Sequence, residues 1–100
     1  MNISEIIRAT LEAGESNAVS VAELCRITGL QDRELRAAIA AERSHGSVIC
    51  SNAKGYFLPG NRSELQAFIR QERARASSIK AGLRAAEQLL KEWKGEKPSE

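Results

Sequence analysis

The chain has one histidine, His45, and two cysteines, Cys25 and Cys50, and this scarcity removes most catalytic and metal chemistry at once. No Ser/His/Asp set, paired-histidine metal motif or phosphate-cradling GxxxxGK[ST] loop can be assembled. The two cysteines fit neither a CxxC pair nor a four-ligand zinc spacing. No enzyme activity, metal or small-molecule cofactor is expected. Long apolar runs are missing too: the longest spans a few residues, against the ~20 needed to cross a bilayer. With no charged-then-apolar leader at the N-terminus, the expectation is a cytoplasmic protein without a membrane partner. A Cys25–Cys50 disulfide is compatible with the spacing, but small intracellular domains keep their thiols reduced. Two small apolar side chains in the core are the preferred reading.

Low-complexity tracts and internal repeats are also absent. What is present is an ordinary globular composition, 42% apolar and 28% charged over 100 residues. At that size roughly three-fifths to two-thirds of the unfolded surface can be buried, enough for one core. The net charge of +2 hides an uneven distribution. Residues 1–25 carry one Arg against four Glu, residues 26–80 carry ten Lys or Arg against five acids, and residues 81–100 carry four of each. A basic excess confined to the middle points to an anionic partner for that segment.

Hydrophobic spacing predicts a first helix through Ile3, Ile6, Ile7 and Leu11, capped by Asn2 with Glu5 and ending near Gly14. Ala18-Val19-Ser20 reads as a one-bridge strand. Ser20 with Glu23 caps a second helix from Val21 to about Thr28. Gly29 supplies the left-handed residue that ends it, and Leu30 drops into the core. A third helix starts at Gln31 or Asp32, buries Leu35 and Ile39 with Ala38 beside them, and stops before Gly46. Arg33, Arg36 and Arg43 are expected to face outward.

After Gly46 the pattern turns strand-like: Val48 to Ser51, a connection Asn52-Ala53-Lys54-Gly55, then Tyr56 to Leu58. That connection is expected to exceed the tightest two-residue hairpin turn. Asn61 with Glu64 opens a last helix, and from Ser63 to Trp93 Gly82 alone interrupts a run without Gly or Pro. Thirty residues at ~1.5 Å each give roughly 45 Å, against about 25 to 30 Å for a domain built from the first sixty residues. The helix should therefore outrun that domain. The predicted class is mainly α with a small β-hairpin (α+β), divided as residues 1–60, a helix over 61–94 and a frayed tail over 95–100.

Taken in order, these elements resemble the winged helix-turn-helix family. Leu24-Cys25, Gly29-Leu30, Leu35, Ile39, Gly46 and Lys54-Gly55-Tyr56 carry the resemblance over residues 1 to about 60. Arg43 to Pro59, RSHGSVICSNAKGYFLP, is similar to the wings of small phage and prophage regulators. The family implies a small residue where the second and third helices cross, and Cys25 stands there. It also implies double-stranded DNA as the partner, with the third helix in the major groove.

Arg33 and Arg36 then become the groove-facing pair, Arg36 being suited to bidentate guanine contact. Gln31 would read adenine or touch a phosphate. Arg43, Asn52 and Lys54, with Arg26, would contact phosphates and set register. Asp32 and Glu34 run against this, since they suit the helix dipole but repel phosphate. His45 reads as a partner for the helix C-terminus or as a phosphate contact.

In the long helix Leu65, Ile69, Glu72, Ala76, Ile79, Leu83, Ala86, Leu90 and Trp93 alternate at steps of four and three, a heptad seam. Leu65, Phe68 and Ile69 are expected to pack on the first domain. Ala76, Ile79, Leu83, Ala86, Leu90 and Trp93 are expected to pair with a second copy, antiparallel or crossing, the small Ala76, Gly82 and Ala86 allowing close approach. The function implied is sequence-specific DNA binding by a small, phage-like transcriptional regulator acting as a homodimer. The competing reading is a winged-helix protein-interaction, replication or packaging adaptor module, because the fold does not itself dictate DNA binding.

Overall fold

The computed structural model describes residues 1–93. The chain is mainly α with one small antiparallel hairpin. It divides into two compact units, Met1–Phe68 and the segment from Ile69 onward. The tail expected over 95–100 lies outside the described residues.

In the first unit, α1 (Ile3–Thr10) is capped by Asn2, whose Oδ1 accepts from the Glu5 amide at 2.8 Å while the Glu5 carboxylate accepts from the Asn2 amide. The helix stops at Thr10 rather than near Gly14. The reason is long-range: Glu12 and Gly14 turn their backbone groups to Leu58, with Leu58 N–H donating to Glu12 at 2.9 Å and Gly14 N–H donating to Leu58 at 2.8 Å. Gly14, at φ +97°, leads into a single 3₁₀ turn, Glu15–Asn17. Helix α2 (Val21–Thr28) and helix α3 (Asp32–Ser44) follow.

Strands β1 (Cys50–Asn52) and β2 (Gly55–Phe57) pair with Ser51 opposite Tyr56 and Asn52 opposite Gly55. The loop is therefore the two residues Ala53 and Lys54, tighter than the spacing suggested. Asn52 folds it, its Oδ1 accepting from the amides of Lys54 (2.8 Å) and Gly55 (3.2 Å), an Asx arrangement that spares non-glycine residues a positive φ. The expected one-bridge strand forms at Val19, which exchanges two hydrogen bonds with Tyr56. A Cβ on Gly55 would sit 2.1 Å from Val19 O, so that close approach requires glycine.

The core lies where α1, α2, α3 and the hairpin meet. Ile7, Leu24, Leu35, Ile39 and Ile49 are essentially inaccessible, with Leu11 and Tyr56 completing the cluster and Leu30, Ala38 and Cys25 packed on its edge. Each buried aliphatic side chain contributes roughly 1.5–3 kcal/mol from loss of water contact. No buried side-chain nitrogen or oxygen among the described residues lacks a hydrogen-bond partner. Both cysteines are free thiols.

Helix α4 (Arg62–Glu92) begins in the first unit. Asn61 Oδ1 accepts from the Glu64 amide at 2.9 Å, but the Glu64 carboxylate does not return to Asn61. It accepts instead from Gly60 N–H (2.8 Å) and Glu15 N–H (3.1 Å), fastening the 3₁₀ turn to the start of α4. Leu65 was expected to be buried and is 37% exposed; Phe68 is half-buried, and Ile69, the first residue of the second unit, is 40% exposed. No helix among the described residues is long and apolar enough to cross a membrane.

Candidate nucleic-acid interface

Three residues join α2 to α3. Gly29 adopts φ 76°, ψ 8° and donates to Cys25 O at 2.8 Å, closing α2. The left-handed residue reverses the chain without a Cβ penalty. Leu30 then anchors the turn against the core, and α3 starts at a fixed angle. With Leu35 and Ile39 turned inward, helical spacing leaves Arg33, Ala37, Ala40 and Ser44 on the exposed side, with Arg36 at its margin.

The two arginines of this face are uncommitted. Both are exposed, and among the described residues neither side chain makes an intramolecular hydrogen bond or ion pair. The acids of α3 are all occupied. Glu34 accepts from Gln31 N–H at 3.0 Å, stabilising the start of a helix whose cap position lacks a hydroxyl. Asp32 lies 3.5 Å from Cys25 Sγ, accepting from it across the α2–α3 crossing. Burial first, and then the hydrogen bond and charge of Asp32, push the Cys25 thiol up, with Arg36 opposing. Glu42, half-buried, faces Arg8 at 4.0 Å and accepts from Ser47 Oγ at 3.4 Å. Asp32 and Glu34 thus each serve a local structural purpose, but their donors are neutral and leave both charges in place, so the conflict they pose for an anionic ligand at this end of α3 stands.

One residue expected to contact phosphate has other work. Arg43 is half-buried and points inward: its Nε and one terminal nitrogen donate to Ile49 O at 2.9 and 2.6 Å, and the guanidinium lies 5.9 Å from the Tyr56 ring centre and 5.3 Å from that of Phe68. The outward orientation expected from helical spacing is corrected because a carbonyl near the hairpin and two aromatic faces recruit the cation. Asn52 is exposed: its carbonyl oxygen is tied into the turn, while its amide nitrogen, the group able to donate to a phosphate, has no hydrogen-bond partner among the described residues. Lys54 is exposed in the two-residue loop, and Gln31 is exposed at the start of α3. Arg26 forms a two-pronged pair with Glu23, one prong at 3.0 Å, which lowers the Glu23 carboxyl. His45 is engaged at the α3 C-terminus, Nδ1 lying 2.7 Å from Ala41 O.

Of the sequence-expected set, then, the first unit exposes Gln31, Arg33, Arg36, Asn52 and Lys54, the Asn52 oxygen also folding the hairpin turn, and assigns Arg43 to holding the hairpin. Sequence reasoning did not single out Ala37 and Ala40, whose signal was small side chains on the helical face carrying Arg33. In the second unit Ala76, Ile79, Leu83, Ala86, Leu90 and Trp93 recur at steps of three and four and all are exposed. Leu89, also exposed, flanks them and was missed because it falls one position off the seam.

Comparison with protein-family models, with curated proteins and with solved structures finds no match for this chain.

Proposed function

We propose that residues 1–68 form a winged helix-turn-helix that binds double-stranded DNA through α3, and that the chain is a small, phage-like transcriptional regulator acting in the cytoplasm as a dimer. The observation that carries this reading is the state of Arg33 and Arg36. Both cations stand exposed on one helix, while its three acids are turned to local partners. An α-helix fits the major groove, and Arg offers two parallel donors to guanine O6 and N7.

The roles follow from side-chain chemistry. Arg36 and Arg33 read base edges, and Ala37 and Ala40 let the helix backbone approach closely, as long side chains would not. Gln31 touches adenine or a phosphate, and Lys54 reaches a phosphate beside the groove. Arg43 holds the hairpin against α3 without touching DNA, and Asn52 folds the turn with its oxygen while its amide nitrogen donates to a phosphate. The apolar face of the second unit joins two copies, so that two α3 helices address a two-fold symmetric site.

A mobility shift on a nonspecific duplex tests the class of partner. The DNA reading predicts a shift at low salt that fades steeply as salt rises, because bound phosphates release counterions. A protein-interaction module leaves the duplex unshifted at every salt concentration.

A further inference from the structure

The charge pattern beside the apolar stripe of the second unit selects both its partner and the direction of pairing. From Ile69 to Trp93 the stripe reads Ile69, Glu72, Ala76, Ile79, Leu83, Ala86, Leu90, Trp93. Ile79, Leu83, Leu90 and Trp93 are each more than half exposed, at 65, 56, 69 and 56%. Steps of three and four keep these residues on one side of a helix, the geometry by which two helices pack knobs into holes. The inference rests on the dimer reading above and specifies how the two copies meet.

A parallel pair fails on charge. Each stripe residue would meet its own equivalent, setting the two Glu72 carboxylates against each other inside an apolar seam, where like charges repel strongly. Along the edge Arg75 would lie opposite Lys80 of the second copy. Residues 69–80 hold Arg70, Arg73, Arg75 and Lys80 against the single acid Glu72, and parallel alignment lays these two basic segments side by side.

Reversing one helix parts the two Glu72 carboxylates and the two basic segments. With Ile79 opposite Leu83 of the second copy, Ala76 falls opposite Ala86, Ile69 opposite Trp93 and Glu72 opposite Leu90. Small faces small and large faces large along most of the seam, and Glu72 keeps its bond to Arg75 of its own helix at 3.1 Å. At one edge Arg73 meets Glu87 of the second copy, twice by symmetry. At the other, Gly82 meets Gly82 and lets the backbones close in. Lys80 against Lys80 is the one like-charged edge pair, and in solvent it costs only a few tenths of a kcal/mol.

We infer that the second unit binds a second copy of this chain as an antiparallel helix pair centred between Ile79 and Leu83. Full-length Ala76→Cys and Ala86→Cys chains, mixed in a glutathione redox buffer, test it. Disulfides are mapped by peptide mass, the wild-type chain controls for Cys25 and Cys50, and helical circular dichroism verifies folding.

In the inferred register positions 76 and 86 of opposite copies lie at one level. Two copies of position 76 are ten residues apart along the axis, about 15 Å and beyond the reach of a disulfide. The mixture should therefore form the 76-to-86 disulfide roughly tenfold faster than either variant links to itself. Preferential 76-to-76 linkage means parallel helices and overturns the orientation while leaving a dimer. A chain that sediments as a dimer but links at neither site overturns the register. A wild-type monomer at micromolar concentration overturns the pairing together with the dimer reading, and a duplex shift with unmodified protein reports on DNA binding independently of all three.

Discussion

The guanidinium of Arg43 closes on the carbonyl oxygen of Ile49 through two hydrogen bonds, 2.9 and 2.6 Å long. This joins the last turn of α3 to the residue that leads into β1. With Tyr56 and Phe68 against the same cation, one side chain ties together α3, the hairpin and the start of α4. Hydrogen bonds from a charged donor to a partly buried acceptor are worth about 1.5–3 kcal/mol.

Arg43→Ala should accordingly lower the stability of the first unit by about 2–3 kcal/mol, read as a lower urea midpoint with an unchanged slope. Arg43→Lys should recover little of this, because an ammonium cannot donate in parallel from a planar fork. An Arg43→Ala chain as stable as wild type would mean that the clamp is incidental.

Gly55 and Gly29 both have positive φ but differ in their surroundings. At Gly29 a Cβ meets nothing within 4 Å, whereas at Gly55 it would overlap Val19 O. Gly29→Ala should cost about 1–2 kcal/mol from backbone strain alone. Gly55→Ala should cost more, because the Val19 bridge must open to admit the methyl group. Equal thermal shifts for the two variants would show that the Val19–Tyr56 bridge has little influence on the fold.

The helices, and the turn between α2 and α3, were legible in the sequence because their signals are local. Ser20 at the start of α2, Gly29 in the left-handed conformation and the inward spacing of Leu35 and Ile39 each act within a few residues. What was hidden depends on groups far apart in the chain. Leu58 halts α1 at Thr10, and Ile49, Tyr56 and Phe68 draw Arg43 inward although helical spacing set it outward. Asn52 shows a third kind of gap: a polar side chain in a turn reads equally well as a ligand contact or as an acceptor for its own backbone, and the geometry shows its oxygen in the second role while leaving its exposed amide nitrogen free for the first. The same reasoning left Arg33 and Arg36 outward, and there no distant group among the described residues intervenes.

Asn52 and Lys54, two residues apart, should separate stability from binding. Asn52→Ala removes the acceptor for two amides and should cost about 1 kcal/mol of stability, while Asn52→Asp keeps the acceptor. Lys54→Ala should leave the unfolding curve in place, weaken DNA evenly across sequences and reduce the slope of log affinity against log salt by about 1. A Lys54→Ala chain with an unaltered salt slope would remove the hairpin tip from the interface.

DNA recognition by α3 is tested most directly by measuring the affinity of the Arg33→Ala/Arg36→Ala chain for a duplex selected from a random pool with the wild-type protein. Two lost base contacts at about 1–3 kcal/mol each predict a weakening well beyond tenfold, with the urea midpoint unmoved because neither side chain has a hydrogen-bond or ion-pair partner among the described residues. Undiminished affinity for the selected duplex would contradict the proposal and assign DNA binding to a different surface.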